Sequence, residues 1–132
     1  MAITQLIYYS QPFGFDEAML NGILLQARRN NPKHGLTGAL IVRGDLYMQL
    51  LEGPAEGITF TFEKIRRDNR HLAVRLLASE LVPDRLFPTW TMRDDPAQSW
   101  LYTADEVADG ALEKASVDEL RHIFLRMAAD LP

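Results

Sequence analysis

The chain has no cysteine among its 132 residues. This absence excludes a disulfide-bonded scaffold, a thiolate zinc site and a cysteine nucleophile. Long apolar runs are missing too, since no stretch approaches the roughly 20 residues that cross a bilayer. The N-terminal sequence MAITQLIYYSQPF also lacks the basic start and apolar core of a signal peptide. We therefore expect a soluble, cytoplasmic protein that does not enter a membrane.

Positive charge is scarce as well. The 14 lysines and arginines stand against 18 aspartates and glutamates, which gives a formal net charge of −4. This balance argues against a protein that holds nucleic acid by neutralising phosphates, but it permits a small ligand in a local pocket. The hydrophobic content of 47% suits one globular domain with a substantial core.

Apolar periodicity divides the chain into strands and helices. The segments predicted as strands are 3–9, 36–42, 46–52, 73–81 and 89–93. A helix is predicted at 17–29 with Asp16 as its N-cap. A second helix is predicted to begin with Pro54 at its first position and to end near residue 68.

The resulting order, β-α-β-β-α-β with a fifth strand, indicates a ferredoxin-like α+β fold with both helices on one face of the sheet. Both faces of the strands are apolar, so the second face also needs a cover. The tail supplies one, because 103–109 predicts a short helix and Ser116 with Glu119 forms a capping box for another. The apolar stripe of that helix is Val117, Leu120, Phe124 and Met127. We expect a domain at 1–95 and a helical extension at 96–132 within one compact unit.

Gln49 is unusual because it stands inside an apolar run that is typical of a buried strand. In a sheet of this order the first and third strands are neighbours, which places Tyr8 beside Gln49 between the two helices. The pair at 30–31 and the charged segment at 66–71 open toward the same cleft. These residues together indicate a binding site.

Each of these features also has an ordinary structural explanation. A buried tyrosine is usually a core residue whose hydroxyl bonds the backbone, and a buried glutamine usually pairs with the backbone or another side chain. Asn-Asn-Pro and a charged helix end occur in many proteins. Only the joint placement around one cleft favours a site over these explanations.

The sequence lacks enzyme motifs such as a Gly-rich phosphate loop or a nucleophile elbow. His34, His71 and His122 do not have metal-ligand spacing, so we predict no metal site and no catalysis. Nothing positions Glu52 and Asp68 as a catalytic carboxylate pair. An acylphosphatase would need an arginine in the first β-α loop, where SQPFGFDE has none. An RNA-recognition domain would need exposed aromatics on an open sheet face.

Five motifs in order resemble one family. They are LIYYS at 6–10, RNNPKHGLTGALI at 29–41, YMQLLEGP at 47–54, DNRH at 68–71 and FPTWTM at 87–92. Together they resemble the BLUF domain, a blue-light sensor that uses FAD, over residues 3–95. No single motif would carry this resemblance, but their order and spacing do.

The resemblance implies a role for each matching residue. Tyr8 matches the light-active tyrosine and Gln49 the switching glutamine between that tyrosine and the flavin. The positions that match flavin contacts are Asn30, Asn31, Lys64, Asp68, Arg70 and His71, with Lys64 at a variable position. Trp90 and Met92 match the pair on the fifth strand that relays the signal, and the sequence does not say which of them faces inward.

The resemblance also implies a mechanism. Light drives electron and proton transfer from Tyr8, the hydrogen bonds of Gln49 rearrange, and a reversible red-shifted state passes its signal to a separate effector protein or through a homo-oligomer. FAD is the expected cofactor, with FMN and riboflavin as alternatives. Two other interpretations stay open: a flavin- or nucleotide-binding module without a light function, and a ligand-free ferredoxin-like interaction domain.

Overall fold

The computed structural model describes residues 3–12, 17–68 and 70–129. Its strands are β1 (Ile3–Pro12), β2 (Thr37–Arg43), β3 (Leu46–Gly53), β4 (His71–Val82) and β5 (Arg93–Pro96). Its helices are α1 (Glu17–Asn30), α2 (Ala55–Arg67), α3 (Ala104–Ala108), α4 (Ala111–Lys114) and α5 (Val117–Ala129), with a 3-10 helix at Asn31–His34. Asp16, the predicted N-cap, lies outside the described residues. No helix within these ranges is long and apolar enough to span a membrane.

The strands form a mixed sheet in the order β4-β1-β3-β2-β5. β1 pairs antiparallel with both β3 and β4, β2 pairs antiparallel with β3, and β5 adds to β2 in parallel. The central β1–β3 pair sets Tyr8 opposite Gln49, as the strand order predicted. The ferredoxin-like β-α-β-β-α-β arrangement with a fifth strand is therefore confirmed.

Each face of the sheet has its own apolar core. On the face covered by α1 and α2, which we call the helix side, Leu6, Tyr8, Tyr47 and Leu51 pack with residues such as Leu24 and Ile58. On the opposite or outer face, the strand residues Ile7, Tyr9, Met48 and Leu50 pack against the tail. The tail residues buried there include Leu112, Leu120, Phe124 and Met127. The C-terminal helices thus cover the outer face, as their apolar stripe predicted.

The prediction of a strand at 89–93 was wrong, because β5 begins at Arg93 and Trp90 and Met92 precede it. Side chains from the end of α1 and the 3-10 helix hold the backbone there. Asn31 Nδ2 donates to the Thr91 carbonyl at 2.7 Å, and Arg28 Nε donates to the Met92 carbonyl at 3.0 Å. The Trp90 carbonyl still accepts from Gly38 N of β2 at 2.9 Å, but the regular β2–β5 ladder begins only at Arg93.

Two smaller corrections concern the start of α2 and an additional helix in the tail. Pro54 is the N-cap of α2, with extended backbone, and its carbonyl accepts from Ile58 N, so the helix begins one residue later than predicted. The tail contains α4, which was not predicted because four residues are too short for a periodic pattern. The capping box before α5 is confirmed, since Ser116 and Glu119 exchange bonds of 3.1 and 3.2 Å.

The cover on the outer face predicts a difference between two neighbouring residues of α5. Phe124 is 1% exposed and Leu125 is 43% exposed. We expect Phe124→Ala to lower the free energy of unfolding by about 3–5 kcal/mol, because it leaves a cavity under the helix. Leu125→Ala, the matched control, should cost less than about 1 kcal/mol. Urea unfolding measures both values, and equal costs would contradict the packing of α5 on the sheet.

Candidate functional site

A cleft opens between α1 and α2 on the helix side of the sheet. Its volume, counted out to open solvent, is about 610 Å³. The residues of α1 and α2 that line it are Ile23, Gln26, Ala27, Asn30, Phe60, Thr61, Lys64 and Ile65, with Asp68 at the C-cap of α2. The other lining residues are Asn31, His34, Gln49, Arg70 and His71. The structure therefore gathers around one cleft the predicted site residues Asn30, Asn31, Gln49, Lys64, Asp68, Arg70 and His71.

The Gln49 amide lies at the inner wall of this cleft and has a partner on each side. The Tyr8 hydroxyl donates a hydrogen bond to Gln49 Oε1. Gln49 Nε2 donates to the sulfur of Met92 at 3.3 Å. Although Gln49 is only 6% exposed, both ends of its amide are bonded. This avoids the cost of about 1–3 kcal/mol that an unsatisfied buried polar group carries.

Tyr8 lies behind Gln49 and reaches the cleft through it. Its side chain is fully buried, and its ring lies 5.5 Å from that of Phe62. Burial raises the pKa of Tyr8 far above its usual value, and the negative charge of Asp68 adds to this effect. The phenol therefore keeps its proton and acts as a hydrogen-bond donor to Gln49.

His71 begins β4 and closes the wall beside Tyr8. Its Nδ1 lies 2.8 Å from Ser10 Oγ, and its ring lies 5.4 Å from the ring of Tyr47. Burial lowers the pKa of His71 to about 4, although the negative charge of Asp68 opposes this shift. The imidazole is therefore neutral at pH 7 and adds no charge to the cleft.

Asp68 and Arg70 form a charged pair at one end of the cleft. Arg70 donates to Asp68 from its backbone N–H and from Nε, each at 2.9 Å, and from Nη2 to Gln26 Oε1 of α1 at 2.6 Å. Burial alone would raise the pKa of Asp68, but the hydrogen bonds and charge of Arg70 hold it below its usual value. The guanidinium thereby bridges the C-terminal end of α2 and the face of α1.

The remaining predicted contact residues differ in the burial and the contacts of their side chains. Asn31 is 2% exposed, and its amide N–H₂ group bonds the Thr91 carbonyl. Asn30, the last residue of α1, is half-buried on the cleft wall. Lys64 places its ammonium group 4.9 Å from the centre of the Phe60 ring, on the side of α2.

Trp90 and Met92 lie on opposite faces of the sheet. Met92 is 3% exposed in the core of the helix side, where its sulfur bonds Gln49. Trp90 packs with the outer-face core and stacks on Phe87 at 4.7 Å between ring centres. The Arg93 guanidinium lies over the Trp90 ring, 4.6 Å from its centre. Met92 is therefore the member of the pair that faces inward.

The chemistry of the cleft fits a flavin. The thioether of Met92 is a weak acceptor, so the Gln49 N–H₂ group can exchange it for a carbonyl oxygen or ring nitrogen of an isoalloxazine. Ile23, Ala27 and Ile65 provide apolar contacts for a flat ring. The amide of Asn30 on α1 and the cations of Lys64 and Arg70 line the same cleft, where they suit polar and anionic groups of the same ligand.

Comparison with known proteins assigns the family. The sequence matches the family model "BLUF: Sensors of blue-light using FAD" over residues 3–93. The chain belongs to the BLUF family. BLUF domains bind a flavin and act as blue-light sensors.

Curated relatives contain the BLUF region as part of longer chains. Photoactivated adenylate cyclase subunit beta of Euglena gracilis is 32% identical over 92 residues, which is 68% of this chain and 11% of that protein. The blue light- and temperature-regulated antirepressor BluF of Escherichia coli (strain K12) is 33% identical over 87 residues, 64% of this chain and 21% of that protein. The chain thus spans about a tenth to a fifth of the length of these relatives.

Solved BLUF structures share the fold over nearly the whole chain. The dark-state structure of BlrB, a BLUF protein, has a TM-score of 0.77 and 28% identity, and the match covers 98% of each chain. The BLUF structure of BlrP1 has a TM-score of 0.69 and 25% identity, covering 98% of this chain and 89% of that one.

Sequence reasoning missed several residues around the BLUF cleft. Phe60 and Thr61 line it beside the predicted Lys64, and His34 stacks on Phe60 at 4.8 Å. The i, i+4 spacing of residues 60 and 64 on α2 would have indicated the shared helix face.

Glu52 is a second residue that the sequence left without a role. It is fully buried, accepts from the Leu86 and Phe87 N–H groups at 2.8 Å each, and bonds Gln5 Nε2 at 3.0 Å. It therefore fixes the segment that leads to Trp90. Since Asp68 bonds Arg70 at the cleft instead, the two carboxylates do not form a pair, as expected.

The buried imidazole makes stability depend on pH. His71 stays neutral in the folded protein down to about pH 4, whereas in the unfolded chain it takes up a proton near pH 6.5. Stability is therefore full above pH 6.5 and falls as the pH is lowered toward 4, by on the order of 3 kcal/mol. In urea unfolding, the native protein should lose this amount relative to His71→Asn between pH 7 and pH 4. A parallel loss in the two proteins would contradict a neutral buried His71.

Proposed function

We propose that this BLUF protein senses blue light with Tyr8 and Gln49 as its photoactive pair and with FAD as its flavin. The observation that carries the proposal is the chain of hydrogen bonds from the Tyr8 hydroxyl through the Gln49 amide to Met92. The chain joins an oxidisable phenol, an amide that both donates and accepts, and a thioether two residues from Trp90, which packs on the outer face. Such a chain is suited to switching and contains no nucleophile or general base for substrate turnover, so we propose that the protein is not an enzyme.

When bound, the flavin supplies absorption of blue light and, once excited, a strong one-electron oxidant. Tyr8 is the residue expected to lose an electron, and its phenolic proton leaves along the bond to Gln49 Oε1. The high pKa of Tyr8 means that the phenol does not lose this proton in the dark. When the electron and the proton return, Tyr8 is restored and nothing has been consumed.

Gln49 has two alternative sets of bonds. In the structure its carbonyl oxygen faces Tyr8 and its N–H₂ group faces Met92. After an amide rotation, the nitrogen side would face Tyr8, whose hydroxyl oxygen can accept a hydrogen bond as well as donate one. After a tautomerisation, a proton would move from Nε2 to Oε1, and Oε1 would then donate to the Tyr8 hydroxyl oxygen. The hydrogen bond from Gln49 to the sulfur of Met92 is then altered, and this alteration is the proposed signal.

The segment 87–92 provides a route from Gln49 to the outer face. Met92 faces the cleft, while Trp90, two residues earlier, packs in the outer core under the tail helices. Asn31 and Arg28 bond the Thr91 and Met92 carbonyls, so a shift of Met92 also strains those contacts. A free-energy change of a few kcal/mol is enough to shift the equilibrium of a contact that has two alternative arrangements.

We propose that the output is a contact with a separate effector protein or within a homo-oligomer in the cytoplasm. The relatives named above include a photoactivated adenylate cyclase subunit and an antirepressor. Their different outputs are consistent with a sensor whose signal is read by other protein surfaces. FMN and riboflavin are the alternatives to FAD, and chromatography of the flavin released from purified protein distinguishes them.

Two adjacent tyrosines test the role of Tyr8. Tyr8 faces the cleft side and bonds Gln49, whereas Tyr9 faces the outer side and bonds Glu113 at 2.8 Å. We expect Tyr8→Phe to bind flavin but to lose the reversible red shift, because the electron and proton donor is gone. Gln49→Leu should lose it too, while Tyr9→Phe, the matched control, should keep it.

Light-minus-dark absorption spectra of the three variants measure these shifts. A normal photocycle in Tyr8→Phe or Gln49→Leu would contradict the assigned roles. A yellow native protein whose spectrum does not respond to blue light would instead leave a flavin-binding module without a light function. A preparation that cannot take up flavin would leave a ligand-free interaction domain.

A further inference from the structure

The strand β4 forms one edge of the sheet in the order β4-β1-β3-β2-β5. It spans His71–Val82, twelve residues, and pairs with β1 along one side. It carries large apolar side chains in contact with solvent: Leu72 is 41% exposed, Leu76 52% and Leu81 72%. A long apolar edge strand with free backbone groups is a template for pairing with another chain.

A bulge in β4 decides which side chains share a face. Ile7 pairs with Ala78 and Tyr8 pairs with Leu76, so Leu77 is the extra residue between them. Arg75 is opposite Tyr9 and Glu80 is opposite Gln5. Because Gln5 and Tyr9 have the same parity on β1, Arg75 and Glu80 both point to the outer face although five residues separate them.

We propose that β4 is an interface between two copies of this chain, paired antiparallel about a two-fold axis at Ala78. In this register Arg75 of each copy lies opposite Glu80 of the other, which gives two pairs of opposite charge. Leu76 lies opposite Ser79. A second register shift, between Tyr9 and Gln11, adds one more residue to β4, so Leu72 lies opposite Val82. Leu72 and Leu76 thereby gain cover. The two sheets become one continuous sheet across the axis.

The charge pattern favours a second copy of this chain over an unrelated partner. An interface with two-fold symmetry needs a surface that is complementary to itself, and opposite charges placed symmetrically about one residue meet that need. Charges on an edge strand can also prevent pairing. Here, however, the bulge places Arg75 of one copy opposite Glu80 of the other. These opposite charges attract in the same register that covers Leu72 and Leu76.

The test is the mass of the flavin-loaded protein by analytical ultracentrifugation over a range of concentrations. We expect the native protein to sediment as two chains. Glu80→Arg places an arginine of one copy opposite an arginine of the other at both pairs. We expect it to raise the dissociation constant of the dimer by roughly tenfold or more. Glu56→Arg, the same charge change at an exposed position on α2, is the matched control and should leave the dimer intact.

A charge-exchange experiment tests the register itself. Arg75 lies 3.9 Å from Glu113 in its own chain, so Arg75→Glu is made together with Glu113→Gln, and Glu113→Gln alone serves as its control. Each charge-reversed protein should be monomeric alone, and an equal mixture with Glu80→Arg should form heterodimers, since both pairs are then attractive. A monomeric native protein, a dimer unaffected by Glu80→Arg, or a mixture that stays monomeric would overturn the proposal. It does not depend on the photochemistry of Tyr8, so either proposal can fail alone.

Discussion

The hydrogen bond between Tyr8 and the amide of Gln49 is the interaction on which the site depends. Both side chains are buried on the helix side of the sheet, where an unpaired amide would cost about 1–3 kcal/mol. The fold meets this demand with a phenol on one side and a thioether on the other. Because sulfur is the weaker acceptor, the arrangement is stable yet leaves the nitrogen side of the amide open to a better partner.

The segment 87–92 links the two faces of the sheet. Met92 belongs to the core on the helix side and Trp90 to the core under the C-terminal helices, with a single residue between them. Glu52 holds the start of this segment through two backbone N–H groups, and Arg28 holds its end. The segment is thus anchored at both ends, and we propose that it carries a movement at Gln49 toward Trp90.

Much of the fold and of the site could be predicted from the sequence, because period-2 and period-3.6 patterns and the strand order depend on residue type alone. These patterns placed Tyr8 beside Gln49 and the tail on the outer face. The start of β5 could not be predicted, since it depends on Asn31 and Arg28, distant in sequence, capturing two carbonyls. The inward position of Met92 and the anchoring role of Glu52 are likewise tertiary, because no local pattern records which buried partner a side chain meets.

The most direct measurement of the central claim is a light-minus-dark infrared difference spectrum of the flavin-loaded protein, with and without ¹³C at the side-chain carbonyl of glutamine. If light rearranges the hydrogen bonds of Gln49, the difference spectrum contains an amide carbonyl band that moves on labelling and recovers in the dark. A difference spectrum that is insensitive to the glutamine label, in protein that still shows the visible red shift, would contradict the account.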